Sequence, residues 1–224
     1  MNRYYSLYTE DSGSELHIYG DITSWPWQES DVSSFNLSKE LAELDASRPL
    51  TVYINSYGGE VGEGLAIYNQ LKRFENCKTV VDGFAASIAS VIFMAGKERV
   101  MSPSSLLFIH NAWTMAVGNS EELRKTADDL EKITAASVGA YMEYINIDEE
   151  KLKAMLDAET WLSADEAVEM GFATVKSTAK ASEKPSQSAR DKFAELVAKA
   201  KEQKEEKTED NEMQRFFKAL ARKE

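Results

Sequence analysis

Over residues 1–176, apolar residues recur at two alternating spacings, and these spacings predict strands and helices in turn. The predicted strands are short runs rich in β-branched and aromatic residues, at 16–22, 50–55, 79–81, 100–101 and 106–109. Apolar residues at every third or fourth position predict helices over 31–44, 61–74 and 87–95. The repeated strand–helix order predicts parallel strands joined by right-handed crossovers, and therefore an α/β fold.

Two capping boxes predict further helices later in this region. Asn119, with Glu122 three residues on, is the typical start of a helix, and the apolar spacing that follows predicts a long one. Ser163 with Glu166 predicts a short helix, which Gly171 ends. These helices complete a folded region that we predict to cover residues 1–176.

The composition changes after residue 176, which predicts a separate tail. Residues 1–176 carry a net charge of −14, whereas 177–224 carry +2. Residues 177–188 are polar and predict a linker. Residues 189–224 hold two narrow apolar stripes among charges, which predict an amphipathic helical or disordered extension.

Composition also excludes several classes of protein. The single cysteine, Cys77, rules out an intramolecular disulfide framework and suits a reducing compartment. No run of about 18 apolar residues occurs, and the N-terminus has no apolar run of the signal-peptide type, so a cytoplasmic protein is expected. A net charge of −12 argues against binding to nucleic acid.

The candidate chemistry centres on Ser87 and His110. A serine needs a base to become a nucleophile at neutral pH, and the chain has only two histidines. Ser87 lies among small residues where a predicted strand gives way to a predicted helix, and His110 ends a predicted strand. A reactive side chain is well placed at such a position, because rigid elements hold it near free backbone N–H groups. Ser90, one helical turn further on, is the rival nucleophile.

Acyl transfer also needs oxyanion donors and a group that orients the base. The N–H of Ile88, at the start of the predicted helix, is one candidate donor. Gly58-Gly59 follows a predicted parallel strand and lets a backbone N–H approach a substrate carbonyl. Asp157 and Glu159 are the candidate acids, in a segment that we predict to be extended, with both side chains on one face.

Four motifs together resemble the Clp protease proteolytic subunit, in order and at matching separations. They are Tyr53-Ile-Asn-Ser-Tyr-Gly-Gly59, Gly83-Phe-Ala-Ala-Ser87-Ile-Ala, Phe108-Ile-His110 and Trp161-Leu-Ser-Ala-Asp-Glu-Ala-Val-Glu-Met-Gly171. The resemblance covers roughly residues 16–175 and implies a crotonase-like β/α superhelix. It implies Ser87 as nucleophile, His110 as base, and the N–H groups of Gly59 and Ile88 as oxyanion hole. It implies no metal or cofactor, and a ring-shaped homo-oligomer with heptameric layers.

Three departures from that family bear on function. Tyr57 stands where the family usually has proline, Glu159 stands where it has the catalytic aspartate, and about 48 residues follow the body. The glutamate and the tail are more similar to the prohead maturation proteases of tailed bacteriophages. That similarity implies a serine endopeptidase that processes capsid or scaffold proteins inside an assembling prohead in the host cytoplasm, with the tail as a docking segment.

Three alternatives to the prohead protease remain open on the sequence alone. The first is a housekeeping Clp subunit working with an unfoldase, since the chain has no phosphate-binding loop of its own. A crotonase-like acyl-CoA enzyme would share the fold without needing Ser87 and His110. An assembly factor with a vestigial site is the third.

Overall fold

A computed structural model describes residues 6–10, 13–26 and 31–177 of the chain. The chain divides into two units, Met1–Thr178 and Ala179–Glu224, and the described residues all belong to the first. The predicted tail at 189–224 and the predicted linker beyond residue 177 lie outside the described residues. The predicted domain boundaries therefore stay predictions.

Eight strands and six helices form within the described residues. The strands are β1 (Ser6–Glu10), β2 (Gly13–Ile18), β3 (Leu50–Ser56), β4 (Cys77–Ala86), β5 (Glu98–Met101), β6 (Leu106–Ile109), β7 (Thr160–Ser163) and β8 (Val175–Lys176). The helices are α1 (Ser34–Leu41), α2 (Val61–Leu71), α3 (Ile88–Phe93), α4 (Ser120–Met142), α5 (Glu149–Asp157) and α6 (Ala164–Glu169). None of these helices combines the length and the apolar character needed to cross a bilayer.

One sheet joins all eight strands, and most of its pairs are parallel. The order along the main path of the sheet is β1-β2-β3-β4-β5-β8. On this path β1 is antiparallel to β2, and the other four pairs are parallel. The strand–helix alternation along the chain agrees with this topology, because a parallel pair needs a crossover connection. The predicted α/β fold is confirmed.

The sheet branches at β4, and this branch builds the candidate site. The first half of β4 pairs with β5, and its last residues, Phe84–Ala86, pair with Leu106–Phe108 of β6. On its other side β4 pairs with β3. Three adjacent parallel strands, β3, β4 and β6, thus bring their carboxyl ends together, where ligands of α/β sheets usually bind.

The core lies between this sheet and the helices that follow its strands. Leu16, Ile54 and Val81 of the sheet and Ile67 and Ile92 of the helices are fully buried. Close packing of α2 on α3 depends on Gly64, since a Cβ there would lie 2.1 Å from Cγ1 of Ile88. The same contact fixes the start of α3, which borders the candidate site.

Two helices differ from the sequence-based expectations. Helix α5 was not predicted, because its polar sequence buries only Leu152 and Leu156. The apolar spacing that predicts α4 places Leu123 and Tyr141 on one face of the helix, but only the C-terminal end of that face is covered: Tyr141 is buried and Leu123 is exposed.

Candidate active site

Ser87 occupies the sharp turn between β4 and α3. The prediction put it in the first turn of the helix, whereas the structure makes it the N-cap residue, with φ 54° and ψ −129°. Its N–H donates to the carbonyl of Phe108 at 2.8 Å, which ties the turn to β6. A serine at this position ordinarily binds the first-turn N–H groups of its helix, but Oγ of Ser87 makes no such bond. The hydroxyl is therefore not used for capping, and the N–H of Ile88 has no backbone acceptor among the described residues, whereas the N–H of Ser90 already donates to the carbonyl of Ser87.

His110 lies directly beyond β6, at the same edge of the sheet as Ser87. Since Ala86 pairs with Phe108, the residues that follow the two strands come close together. His110 Nε2 is 2.7 Å from Oγ of Ser87. Desolvation by burial holds the pKa of His110 below its ordinary value, and the negative charge of Glu159 partly opposes that shift. His110 is thus neutral at neutral pH, the form in which it accepts a proton.

Glu159 and Asp157 lie at this edge too, but not in the predicted extended segment. Asp157 is the last residue of α5, and Glu159 lies in a turn with φ 51°, so their side chains do not alternate as in a strand. Glu159 precedes β7, whose Thr160 pairs with Ile109, and it therefore lies across from His110. The Asp157 carboxylate instead accepts a hydrogen bond from Nδ2 of Asn111 at 2.7 Å.

Backbone strain is concentrated in this region. Ser87 and Glu159 are the two residues other than glycine with positive φ within the described parts of the chain. Such conformations cost on the order of 1–3 kcal/mol each and cluster at active sites. Both strained positions are ones that the sequence singled out as candidate chemistry.

Gly58 and Gly59 bring a backbone segment against Ser87 that no larger residue could supply. A Cβ at Gly58 would lie 2.8 Å from Cβ of Ser87, and one at Gly59 would lie 2.0 Å from the carbonyl oxygen of Ile22. Both glycines have positive φ, 100° and 147°. The N–H groups of Gly59 and Ile88 have no backbone acceptor among the described residues.

A cavity of about 670 Å³ contains Ser87 and His110. Aromatic side chains supply much of its wall, and Trp161 packs over Phe108 with ring centroids 4.6 Å apart. Trp113 also lines the cavity and is 71% exposed. No local pattern in the sequence indicates that Trp113 and Phe108 line the cavity, because such patterns do not show which strand ends share a cavity.

The rival serine and the second histidine lie away from this cavity. Ser90 is fully buried, and its Oγ is 2.7 Å from the hydroxyl of Tyr141. His17 lies in β2, stacked on Tyr53 with ring centroids 4.8 Å apart. The described parts of the chain also contain no group of three or more His, Cys, Asp or Glu side chains that could hold a metal ion.

Comparison with known proteins gives one consistent result. The family model described as Clp protease matches residues 30–177, a span that includes all the candidate site residues. The chain is 32% identical over 151 residues to the ATP-dependent Clp protease proteolytic subunit of Bacteroides thetaiotaomicron, covering 65% of this chain and 69% of that protein. It is 32% identical over 139 residues to the protein of that name from Deinococcus radiodurans. It is 33% identical over 140 residues to the protein of that name from Streptococcus pneumoniae. These two alignments cover 59% and 57% of this chain, and 68% of each relative.

Proposed function

This chain belongs to the Clp protease family, and from that premise we propose that it hydrolyses peptide bonds with Ser87 as nucleophile, His110 as general base and Glu159 as the acid that orients His110. The family assignment makes it a serine-type peptidase and decides against the acyl-CoA alternative. The observation that carries the residue assignment is the 2.7 Å distance between Oγ of Ser87 and Nε2 of His110.

The proposed reaction uses each group once in acylation and again in deacylation. Oγ of Ser87 attacks the peptide carbonyl carbon while its proton passes to Nε2 of His110. The protonated His110 then donates that proton to the leaving amine nitrogen as the C–N bond breaks. Water then attacks the ester carbonyl carbon while its proton passes to Nε2 of His110. The bond from that carbon to Oγ breaks, His110 returns the proton to Oγ, and the carboxylic product leaves with Ser87 regenerated.

Charge develops on the substrate oxygen and on His110 during these steps. The N–H groups of Gly59 and Ile88 are the proposed donors to the oxyanion. Their lack of a backbone acceptor among the described residues supports this assignment, which comes from the family resemblance. Glu159 stabilises the imidazolium form of His110, since its charge favours protonation of that ring. No step requires a metal or a cofactor.

We expect the folded body to assemble with copies of itself, in rings with heptameric layers as the family resemblance implies. The segment after His110 exposes large apolar side chains: Trp113 at 71%, Met115 at 90% and Val117 at 105%. Exposed apolar clusters of this kind mark interaction surfaces. The apolar sequence around the end of α4 also predicts a second buried face for assembly, but Val138 and Tyr141 are buried in the core, and Met142 and Tyr144 pack against it.

Light scattering at micromolar concentration tests this assembly. We expect a particle several times heavier than the 25.1 kDa chain. Exposing such apolar residues on a monomer would be unfavourable, so a complex is expected without any added partner. A monomer under these conditions would contradict the proposal.

The substrate class we propose is capsid or scaffold protein of a phage prohead. Its support is the glutamate at position 159 and the tail after residue 176, both from the sequence. A Clp-type subunit that receives chains from an unfoldase is the alternative, and the relatives named as ATP-dependent subunits favour it.

Co-expression separates these substrate classes. The chain would be produced together with capsid and scaffold proteins encoded beside it, and the fragments would be identified by mass spectrometry. We expect new termini in a capsid or scaffold protein with the wild type and none with Ser87→Ala. Cleavage that appears only when an unfoldase and ATP are supplied would move the substrate class to the Clp-type alternative.

A further inference from the structure

The strand end that carries His110 and the turn that carries Glu159 meet beyond the last pair of the β6–β7 ladder. That last pair is Ile109 with Thr160. His110 and Glu159 lie one step further, where backbone pairing has stopped. The ladder alone therefore holds the proposed base and acid from one side only.

A side-chain hydrogen bond closes the other side. Nδ2 of Asn111, the residue after His110, donates to Oδ1 of Asp157 at 2.7 Å. Asp157 lies two residues before Glu159. The His110–Glu159 pair is thus flanked by the Ile109–Thr160 pair on one side and by this hydrogen bond on the other.

Both partners of this bond belong to anchored backbone. After Asn111, the N–H of Ala112 donates to Oγ1 of Thr134 in α4 at 3.1 Å. On the other strand, Oγ1 of Thr160 donates to the carbonyl of Met155 at 2.7 Å, which closes the turn around Glu159. The bond between Asn111 and Asp157 therefore connects two segments that other bonds anchor, and it sets the distance between them.

The placement of Asp157 is unfavourable for the helix itself. A carboxylate at a helix C-terminus faces the negative end of the helix dipole, which usually favours a cation there. The last turn of α5 has no basic residue, and the hydrogen-bond partner of Asp157 is a neutral amide. A feature that breaks a local rule in this way is typical of a functional position.

We propose that Asn111 and Asp157 are positioning residues, whose hydrogen bond holds the turn carrying Glu159 at a fixed distance from His110. The inference rests on the proposed function of those two residues. The bond matters because Glu159 has φ 51°, a conformation that its own backbone does not favour. Backbone bonds and the Thr160–Met155 bond close the turn itself, so we expect loss of the Asn111–Asp157 bond to change the distance between the turn and His110 and not to unfold the turn.

Alanine substitutions test this role. We expect Asn111→Ala and Asp157→Ala each to lower kcat for a small peptide by about 10- to 100-fold, because small misplacements of catalytic groups have effects of that order. KM should change little, since neither side chain lines the cavity. The double variant should be no slower than the slower single variant, because both changes remove one bond.

Conservative substitutions supply the matched controls. Asp157→Asn keeps an acceptor oxygen for Asn111 and should retain most of the activity. Asn111→Asp places two carboxylates against each other and should be the slowest single variant. Adding Asp157→Asn to Asn111→Asp restores a donor–acceptor pair at unchanged net charge, and it should recover kcat to within a few-fold of wild type.

The outcomes separate this proposal from the proposed function. Wild-type kcat in Asn111→Ala, or no recovery in the exchanged pair, would overturn the positioning role even if Ser87 proves essential. Full activity of Ser87→Ala would instead overturn the proposed function. A purely structural role would lower the melting temperature and leave kcat per assembled, folded protein unchanged. Both quantities are therefore measured on the same sample, whose assembly is checked by light scattering.

Discussion

Replacing Ser87 by alanine is expected to lower peptide cleavage by a factor of about 10⁴ or more, without loss of fold or assembly. The hydroxyl is the atom that attacks the carbonyl in the proposed reaction, so its loss leaves only the residual effect of binding and of the oxyanion donors. Alanine keeps the Cβ, so the strain at φ 54° stays as it is in the wild type. The measurement is the rate of hydrolysis of a small fluorogenic peptide, with serine-directed fluorophosphonate labelling as a second readout.

Ser90→Ala is the matched control for this experiment. It removes the same atom one helical turn away, where the hydroxyl is fully buried against Tyr141. We expect labelling and cleavage to persist, with a lower melting temperature because the Tyr141 hydroxyl and the Ser87 carbonyl each lose a partner. If Ser87→Ala kept more than about a tenth of the activity, the nucleophile would have to be reassigned.

The sequence predicted which segments carry Ser87 and His110 better than it predicted how the strands pair. Ser87 and His110 both follow apolar runs, which is enough to expect each of them at a sheet edge. That β4 pairs with β5 along its first half and with β6 along its second is a non-local fact, and no local pattern contains it. This branch is what brings the two side chains to 2.7 Å.

The strand leading to Ser87 also proved longer than predicted. The sequence indicated only residues 79–81, because Asp82 and Gly83 read as the end of a strand. In the structure β4 continues to Ala86, since Tyr19 donates a hydrogen bond to Asp82 and Oδ1 of Asn55 accepts from the N–H of Phe84 at 3.2 Å. Side chains from β3 and from the loop after β2 thus support a stretch that its own composition does not favour.

For Asp157 and Glu159, the prediction of the local backbone structure was wrong. The sequence singled out both carboxylates as candidate acids, and the structure places both at this edge of the sheet, but the sequence predicted a regular strand around them. A turn with a non-glycine residue at positive φ has no sequence signal, because its stability comes from bonds made elsewhere. Here these include the bond from Oγ1 of Thr160 to the carbonyl of Met155.

Glu159→Gln is expected to lower kcat by about 10⁴, the loss typical of a triad whose orienting carboxylate becomes an amide. Glutamine has the same length and the same backbone preferences, so the turn at φ 51° is not changed by the substitution. The loss therefore reports the carboxylate group, that is, its charge and its second acceptor oxygen, and not a change of the backbone. Asp157→Asn is the control, because it removes a charge two residues away and keeps the acceptor for Asn111.

The pH dependence of kcat/KM gives an independent check on the same variant. Burial already lowers the pKa of His110, and the charge of Glu159 raises it again. Removing that charge should lower the pKa further, because the imidazolium form loses its nearest stabilising anion. Since the neutral ring is the active base, the acid limb of the profile should move to lower pH while the plateau falls.

Which of the two variants shows that shift of the acid limb decides between the two candidate acids. If Glu159 acts on His110, the acid limb moves in Glu159→Gln and stays close to its wild-type position in Asp157→Asn. If Asp157 is the partner, the ranking reverses, and Asp157→Asn shows both the larger loss of kcat and the larger shift. Equal small effects in both variants would mean that neither carboxylate orients His110, since a triad acid cannot lose its charge without changing the base it supports.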